Sequence, residues 1–170
     1  MTFLLTSDGR ERDVVSAFRR YREYLESQRS AFPPSAYALA TSDWYFDSQD
    51  HRCPHDAWLE RCELIEASTG ERSEKRTLSL RLRMLGAYHD GHIEILYPRV
   101  FAYSFSLVDS LRGHCDWRFD ELRISDRGNV IHEIEWADDQ KTGLWIIEAA
   151  DLEYRWTPAH TVSQLQRTTE

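Results

Sequence analysis

Apolar residues recur at helical spacing near the start of the chain, at Val14, Phe18, Tyr21 and Leu25. Charged side chains fill many of the positions between them, so one face is apolar and the other is polar. Asp8, with Glu11 three residues later, resembles the capping box that begins a helix. Pro33 and Pro34 end it, because proline lacks the amide donor that a helix needs. This pattern predicts a helix over residues 8–30.

From residue 57 onward the apolar pattern changes to the alternation that is typical of half-buried strands. The clearest example is the run of alternating apolar residues at Leu78, Leu80, Leu82 and Met84. Turns such as Asp126-Arg127-Gly128-Asn129 separate the runs. Strands are predicted over 58–65, 77–84, 92–97, 100–107, 116–124, 130–136, 144–149 and 151–156, the last two as one bent strand.

These elements predict the α+β class. The expected architecture is an N-terminal helix packed on an antiparallel, meander-like sheet of about seven or eight strands. Curvature of this sheet into a partial barrel is left open. Residues 35–50 fit a short helix followed by a loop or a strand. We expect one domain over residues 1–157, with the sheet over 57–156, and a polar tail over 158–170.

The composition fits a folded protein, since 41% of the 170 residues are hydrophobic and 12% are aromatic. No apolar run reaches the ~18 residues that a membrane-spanning helix requires. The start of the chain lacks the basic region and apolar stretch of a signal peptide. Cys53, Cys62 and Cys115 form no C-x-x-C pair and are too few for a disulfide scaffold. We therefore expect a cytoplasmic protein with reduced thiols and no membrane contact.

The negative charge is concentrated in one part of the chain. Residues 109–153 contain twelve Asp and Glu against five Arg and Lys, which gives a net charge of −7 out of −8 for the whole chain. An acidic chain opposes the phosphate contacts with which nucleic-acid binding begins, so we expect no nucleic-acid partner. A basic protein partner fits this charge, because complementary charge speeds the encounter.

Alternation places several of the acidic residues on one face of the sheet. Glu133 and Glu135 project to one face of their strand, and Trp136 projects to the other. The same reasoning assigns an outer face to Asp116, Asp120, Asp151 and Glu153, with Asp138 and Asp139 in an adjoining turn. Trp136 and Trp145 are the aromatic anchors of this surface if either is exposed. These residues form the predicted binding surface for a basic partner.

An alternative reading rests on histidine, cysteine and aromatic residues. His51, Cys53 and His55 alternate, so they would share one face of an extended segment and offer zinc its usual ligands. Their spacing does not match a zinc finger, and we predict no metal or other cofactor. No nucleophile motif, phosphate-binding loop or H-E-x-x-H helix occurs, so an enzyme is not favoured. The alternative is a small-molecule-binding protein or a metal-dependent enzyme, with a pocket lined by Trp, Tyr and His in a curved sheet.

Five short runs are found in the strand-rich part of the chain: Pro54-His55-Asp56-Ala57-Trp58, Gly86 to Ile95, Asp116-Trp117, His132-Glu133-Ile134 and Trp145-Ile146-Ile147-Glu148. With these runs, residues 54–156 resemble small bacterial proteins, some of which are similar to immunity proteins of polymorphic-toxin and contact-dependent inhibition systems. The resemblance implies a protein that binds and blocks a cognate toxin. Nuclease toxins are often basic, which suits the acidic part of this chain.

Overall fold

The structure, a computed structural model, describes residues 2–5 and 13–159. Within them the chain forms two helices, α1 (Val14–Ser27) and α2 (Pro34–Ala40), followed by eight strands. The strands are β1 (Trp58–Thr69), β2 (Lys75–Leu85), β3 (Gly91–Tyr97), β4 (Val100–Phe105), β5 (Asp116–Ile124), β6 (Val130–Ala137), β7 (Thr142–Ala149) and β8 (Glu153–Pro158). They form one antiparallel sheet, which confirms the predicted α+β class. Neither helix in this part of the chain combines the length and the apolar character that a membrane span needs.

Helix α1 begins after Asp13, whose carboxylate accepts a hydrogen bond from the Ser16 amide at 3.0 Å. Such a bond stabilises the start of a helix, since the first amides have no partner within the helix. The predicted capping residues, Asp8 and Glu11, lie outside the described residues. The buried residues of α1 are Ala17, Tyr21 and Leu25.

The order of the strands across the sheet is β4-β7-β6-β5-β1-β2-β3-β8. The sheet has two halves, each built from a three-stranded meander and one added outer strand. The first half contains β1, β2, β3 and β8, and the second half contains β5, β6, β7 and β4. The halves meet where Trp58 of β1 pairs with Asp116 of β5. The sheet is not closed into a barrel, since within the described residues β4 and β8 each have a neighbouring strand on one side only.

Strands β7 and β8 lie in different halves of the sheet, so the predicted single bent strand over 144–156 is wrong. β7 pairs with β4 and β6, whereas β8 pairs with β3 at the far edge. Between them the Ala150 amide donates to the Arg99 carbonyl at 2.9 Å. The carboxylate of Asp151 then accepts a hydrogen bond from the Ala36 amide at the start of α2, at 3.0 Å. Asp151, a predicted surface residue, thus fixes the short helix to the crossing segment.

Helix α1 closes the side of β5 that faces away from β6. The hydroxyl of Tyr21 accepts a hydrogen bond from the Leu122 amide at 2.7 Å and donates to the Leu122 carbonyl at 3.0 Å. The hydroxyl of Tyr24 accepts a hydrogen bond from the Ile124 amide at 2.8 Å. Two tyrosines therefore satisfy backbone groups that a neighbouring strand satisfies elsewhere in the sheet.

The core differs between the two halves. In the first half it is mainly aliphatic and includes Leu80, Leu82, Met84, Ile93 and Ile95. In the second half, Trp136 packs against Trp117 and Trp145, with ring centroids 5.2 and 5.3 Å apart. Each of these rings removes a large apolar area from water. Trp136 and Trp145 are 0% and 1% exposed, so neither is available as a surface anchor.

Candidate functional site

A β-bulge in β5 decides which side chains reach the interior of the sheet. The register between β5 and β6 shifts between Trp117 and Phe119, which leaves Arg118 without a cross-strand partner. Side chains after the bulge therefore point to the face opposite to the one that strict alternation predicts. Phe119 lies opposite Glu135, and Asp120 turns into the interior with 2% of its surface exposed. The predicted placement of Asp120 on the outer face is wrong for this reason.

Asp120 is the centre of a buried hydrogen-bond network, which we call the Asp120 network. Its carboxylate accepts hydrogen bonds from the Tyr45 hydroxyl at 2.7 Å and from Trp117 Nε1 at 3.0 Å. Nε2 of His132 lies 3.0 Å from the same carboxylate, and Nδ1 of His132 lies 2.6 Å from the Tyr97 hydroxyl. A neutral imidazole with its proton on Nε2 satisfies both contacts, since it donates to Asp120 and accepts from Tyr97.

The two tyrosines of the Asp120 network are held in their protonated form. Burial raises the pKa of Tyr45 and of Tyr97 well above the usual value, and the nearby Asp120 raises both further. Both hydroxyls therefore remain donors at neutral pH. Asp120 thus has donors around both oxygens, as a buried carboxylate requires in order to offset its loss of hydration.

A cleft of about 180 Å³ opens beside the Asp120 network. Phe18 from α1, Phe46 from the loop after α2 and Phe119 from β5 contribute aromatic rings to its lining. Its other lining residues include Tyr45, Cys53, His55, Trp117, Arg118 and Asp120. Burial raises the pKa of the Cys53 thiol to about 12, so this thiol is not a nucleophile at neutral pH. We call this space the aromatic cleft.

The three predicted candidates for metal ligands do not converge. Nδ1 of His51 lies 2.5 Å from Oδ2 of Asp90, and its ring stacks on Tyr88 at a centroid distance of 4.2 Å. The Cys53 thiol donates to a backbone carbonyl at 3.1 Å, and Nδ1 of His55 lies 2.7 Å from another. Among the residues that the structure describes, no group of three or more His, Cys, Asp and Glu side chains could hold a metal ion.

Glu133 and Glu135 lie on the outer face of β6, where alternation places them. The residues opposite them on β7 are Ile146 and Leu144, respectively. Each of these aliphatic side chains is 37% exposed. Beyond the junction with β1, where Asp116 pairs with Arg118, the outer face of β5, β6 and β7 carries four carboxylates and one guanidinium, from Glu121, Glu133, Glu135, Glu148 and Arg123. We call it the acidic face.

Glu121 is the most deeply buried carboxylate of the acidic face. Its Oε2 accepts hydrogen bonds from the amides of Phe3 and Leu4, both at 2.8 Å. Nε of Arg123 lies 2.9 Å from its Oε1, and the same guanidinium forms an ion pair with Glu133. Burial raises the pKa of Glu121, although the two backbone bonds and the Arg123 charge oppose the shift. Glu133 is 8% exposed, so Glu135 is the more accessible of the two predicted glutamates.

The other predicted surface residues are dispersed. Asp116, at the junction of the two halves, accepts a hydrogen bond from Trp58 Nε1 at 2.8 Å. Asp138 accepts two backbone hydrogen bonds within the turn after β6, at 2.8 and 2.7 Å, and Asp139 beside it is exposed. Glu153 lies on β8, in the first half of the sheet. The acidic face therefore contains the two glutamates predicted on β6 and none of these four residues.

Sequence reasoning missed the Asp120 network, although one of its members carries a usable signal. His132 alternates with Ile134 and Trp136 along β6, so period-two alternation places it with them in the interior. The two tyrosines of the network, Tyr45 and Tyr97, come from distant segments of the chain, and no sequence spacing relates them to His132.

The aromatic cleft and the acidic face both combine charged groups with accessible apolar side chains, and β5 contributes to both. These two features are the basis for inferring a function. Comparisons with protein-family models, with curated proteins and with solved structures give no match to this chain.

Proposed function

We propose that this is a non-enzymatic binding protein that holds a basic partner protein on the acidic face. The observation that carries the proposal is that Leu144 and Ile146 are exposed directly opposite two glutamates. Removing apolar surface from water favours association by ~25 cal/mol per Å². The carboxylates beside that surface select a partner of opposite charge.

The distribution of charge supports a basic partner. The acidic face has four carboxylates against one guanidinium, and residues 109–153 carry −7 of the −8 net charge. A field of this sign attracts a basic protein and raises its association rate at low ionic strength. Salt weakens the effect, since the Debye length is only about 8 Å at physiological ionic strength.

Strand β4 forms the edge of the second half of the sheet, beside β7. It pairs with β7 on one side, and Phe101 and Tyr103 are exposed along it. An open edge with exposed aromatic side chains is typical of a surface that another chain covers. Together with the resemblance to immunity proteins, this supports a toxin as the basic partner. We therefore extend the proposal to a cytoplasmic immunity-type inhibitor, which blocks its toxin by covering it.

The experiment captures the partner from the native cell and then measures its binding kinetics with purified proteins. Glu135→Lys should slow association about tenfold at low salt, because it reverses an accessible charge of the acidic face, and this effect should shrink at high salt. Leu144→Ser should mainly speed dissociation, because it removes apolar contact without changing the charge.

The matched control is Glu63→Lys, which makes the same change in net charge on the outer face of the first half of the sheet. It should leave the association rate within about twofold of the wild type. If Glu135→Lys and Glu63→Lys slowed association equally, the acidic face would be ruled out as the binding site. Unchanged dissociation of Leu144→Ser would contradict the role of the aliphatic pair.

A further inference from the structure

We propose that the aromatic cleft is a second binding site, separate from the acidic face, and that its ligand is a small organic cation. The cleft combines aromatic rings, a buried carboxylate and a small open space in one place. Aromatic faces and a carboxylate are the groups with which proteins bind ammonium and guanidinium ligands.

Aromatic rings from three elements surround the cleft. Phe18 lies 5.3 Å from Phe46, and Tyr45 lies 4.8 Å from Phe46, measured between ring centroids. Phe119 joins them from β5, where the bulge turns its side chain away from the core. Phe18, Phe46 and Phe119 are half-buried, so part of each ring is accessible. The face of an aromatic ring attracts a cation that lies within ~6 Å of its centroid.

The charge in and around the cleft is negative. Asp120 contributes a carboxylate whose hydrogen-bond partners are donors from the protein. The guanidinium that lines the cleft, that of Arg118, is held by Asp56 at 2.9 Å and by Asp116 at 3.1 Å. Three carboxylates and one guanidinium therefore act on a bound ligand, which attracts a cation and repels an anion.

The volume of the cleft limits the ligand. About 180 Å³ is several times the ~30 Å³ that one water molecule occupies in the liquid, and it is smaller than the ~300–1,000 Å³ of pockets for drug-sized ligands. A quaternary ammonium or a guanidinium group fits this space, whereas a nucleotide does not. The same chemistry is available from a free metabolite and from a basic side chain of a partner protein.

The experiment titrates the full chain with choline and with 3,3-dimethyl-1-butanol, which has nearly the same shape without the charge. We expect saturable binding of choline, seen in the NMR shifts of the Trp117 indole, and binding of the alcohol that is about tenfold weaker or less. Nα-acetyl-lysine amide and Nα-acetyl-arginine amide distinguish the two sources. Tighter binding of either than of choline would assign the cleft to a side chain.

Phe46→Leu should weaken choline binding about fivefold or more, since it removes one aromatic face and keeps an apolar side chain of similar size. The matched control is Phe101→Leu, at an exposed ring on β4, which should leave choline binding unchanged. Asp120→Asn removes the charge with little change of shape, and circular dichroism shows whether that variant folds.

Equal binding of choline and the alcohol would reduce the cleft to an apolar pocket and overturn the proposal. So would the failure of choline, guanidinium and both blocked amino acids to saturate the wild-type protein. Glu135→Lys should leave choline binding intact, so failure of the cleft and failure of the acidic face give different results.

Discussion

The outer faces of the two halves of the sheet are built differently. In the first half, four carboxylates are balanced by four guanidiniums, from Glu60, Glu63, Glu94, Glu153, Arg61, Arg81, Arg83 and Arg155. Arg83 lies 3.1 Å from Glu60 and 3.3 Å from Glu94, so it connects neighbouring strands. In the second half, the acidic face has four carboxylates and one guanidinium, that of Arg123, which forms ion pairs with Glu121 and Glu133.

The acidic face therefore carries an excess of carboxylates that its own guanidinium does not balance. Like charges directly opposite one another on neighbouring strands cost ~0.2–1 kcal/mol. Glu121 and Glu133 are such a pair, and Arg123 lies close enough to offset their repulsion. The first half has one such pair, Arg61 and Arg83, whose charges are offset by Glu63 and by Glu60 and Glu94, respectively. An excess of carboxylates next to exposed aliphatic side chains is expected where a surface binds a partner, which is why we propose that the partner binds there.

The largest expected effect comes from removing one arginine from each outer face, Arg123 in the second half and Arg83 in the first. Arg123→Ala should lower the free energy of unfolding by ~3–5 kcal/mol, because it leaves the buried Glu121 without its counter-charge. Arg83→Ala should lower it by ~1 kcal/mol or less, because its ion pairs are exposed to solvent. Urea unfolding followed by circular dichroism measures both. Equal losses of unfolding free energy in the two variants would show that the two arginines contribute equally to stability, contrary to this expectation.

A smaller effect depends on pH and concerns Glu121. Burial raises its pKa in the folded protein above the ordinary 4.5, so between these two values the folded state binds more protons than the unfolded state. The stability that this group contributes is therefore complete below pH 4.5 and is lost as the pH rises through the raised pKa. Relative to the wild type, Glu121→Gln should become more stable with rising pH across this window, because it does not titrate.

Urea unfolding at a series of pH values measures that difference. Glu63→Gln, on the outer face of the first half, controls for the loss of one carboxylate. A difference between Glu121→Gln and the wild type that stays flat or falls with rising pH would contradict the assignment of a raised pKa to Glu121.

The smallest expected effect on stability comes from a substitution at Ile146, which lies opposite Glu133. Ile146→Thr should change the free energy of unfolding by ~0.5 kcal/mol or less, because the side chain is exposed and Thr keeps a high strand propensity. The same substitution should weaken binding of the partner, which separates the use of this residue from its contribution to the fold. A large loss of stability would place Ile146 among the residues that the sheet itself needs.

Local patterns predicted the elements well, because the period of side chains along a strand depends only on its own backbone. The alternation at Leu80, Leu82 and Met84 predicted a half-buried strand, and β2 contains these residues on its buried side. The strand order was not accessible in this way. The pairing of Tyr154 with Ile95 joins segments that no local signal connects, and the chain crosses to that edge through Asp151.

Asp120 shows why the site was harder to predict than the fold. One extra residue at the bulge, Arg118, reverses the direction of every later side chain of β5. Composition and alternation contain no signal for that insertion. The glutamates of β6 lie on the predicted face because β6 runs without a bulge alongside β7. Glu133 is nevertheless covered by Arg123, which only the three-dimensional structure places beside it.

Tyr21 and Tyr24 hold helix α1 at a position where a sheet ordinarily has another strand. This arrangement affects whether β5 can pair with a second copy of the chain. When α1 leaves β5, the amides of Leu122 and Ile124 lose their acceptors, and an interior strand becomes an open edge that a second chain can pair with. Hydrogen exchange at these two amides therefore reports the release of α1 before the rest of the sheet unfolds. The two phenol groups thus cover a strand edge that would otherwise be open to pairing with a second copy of the chain.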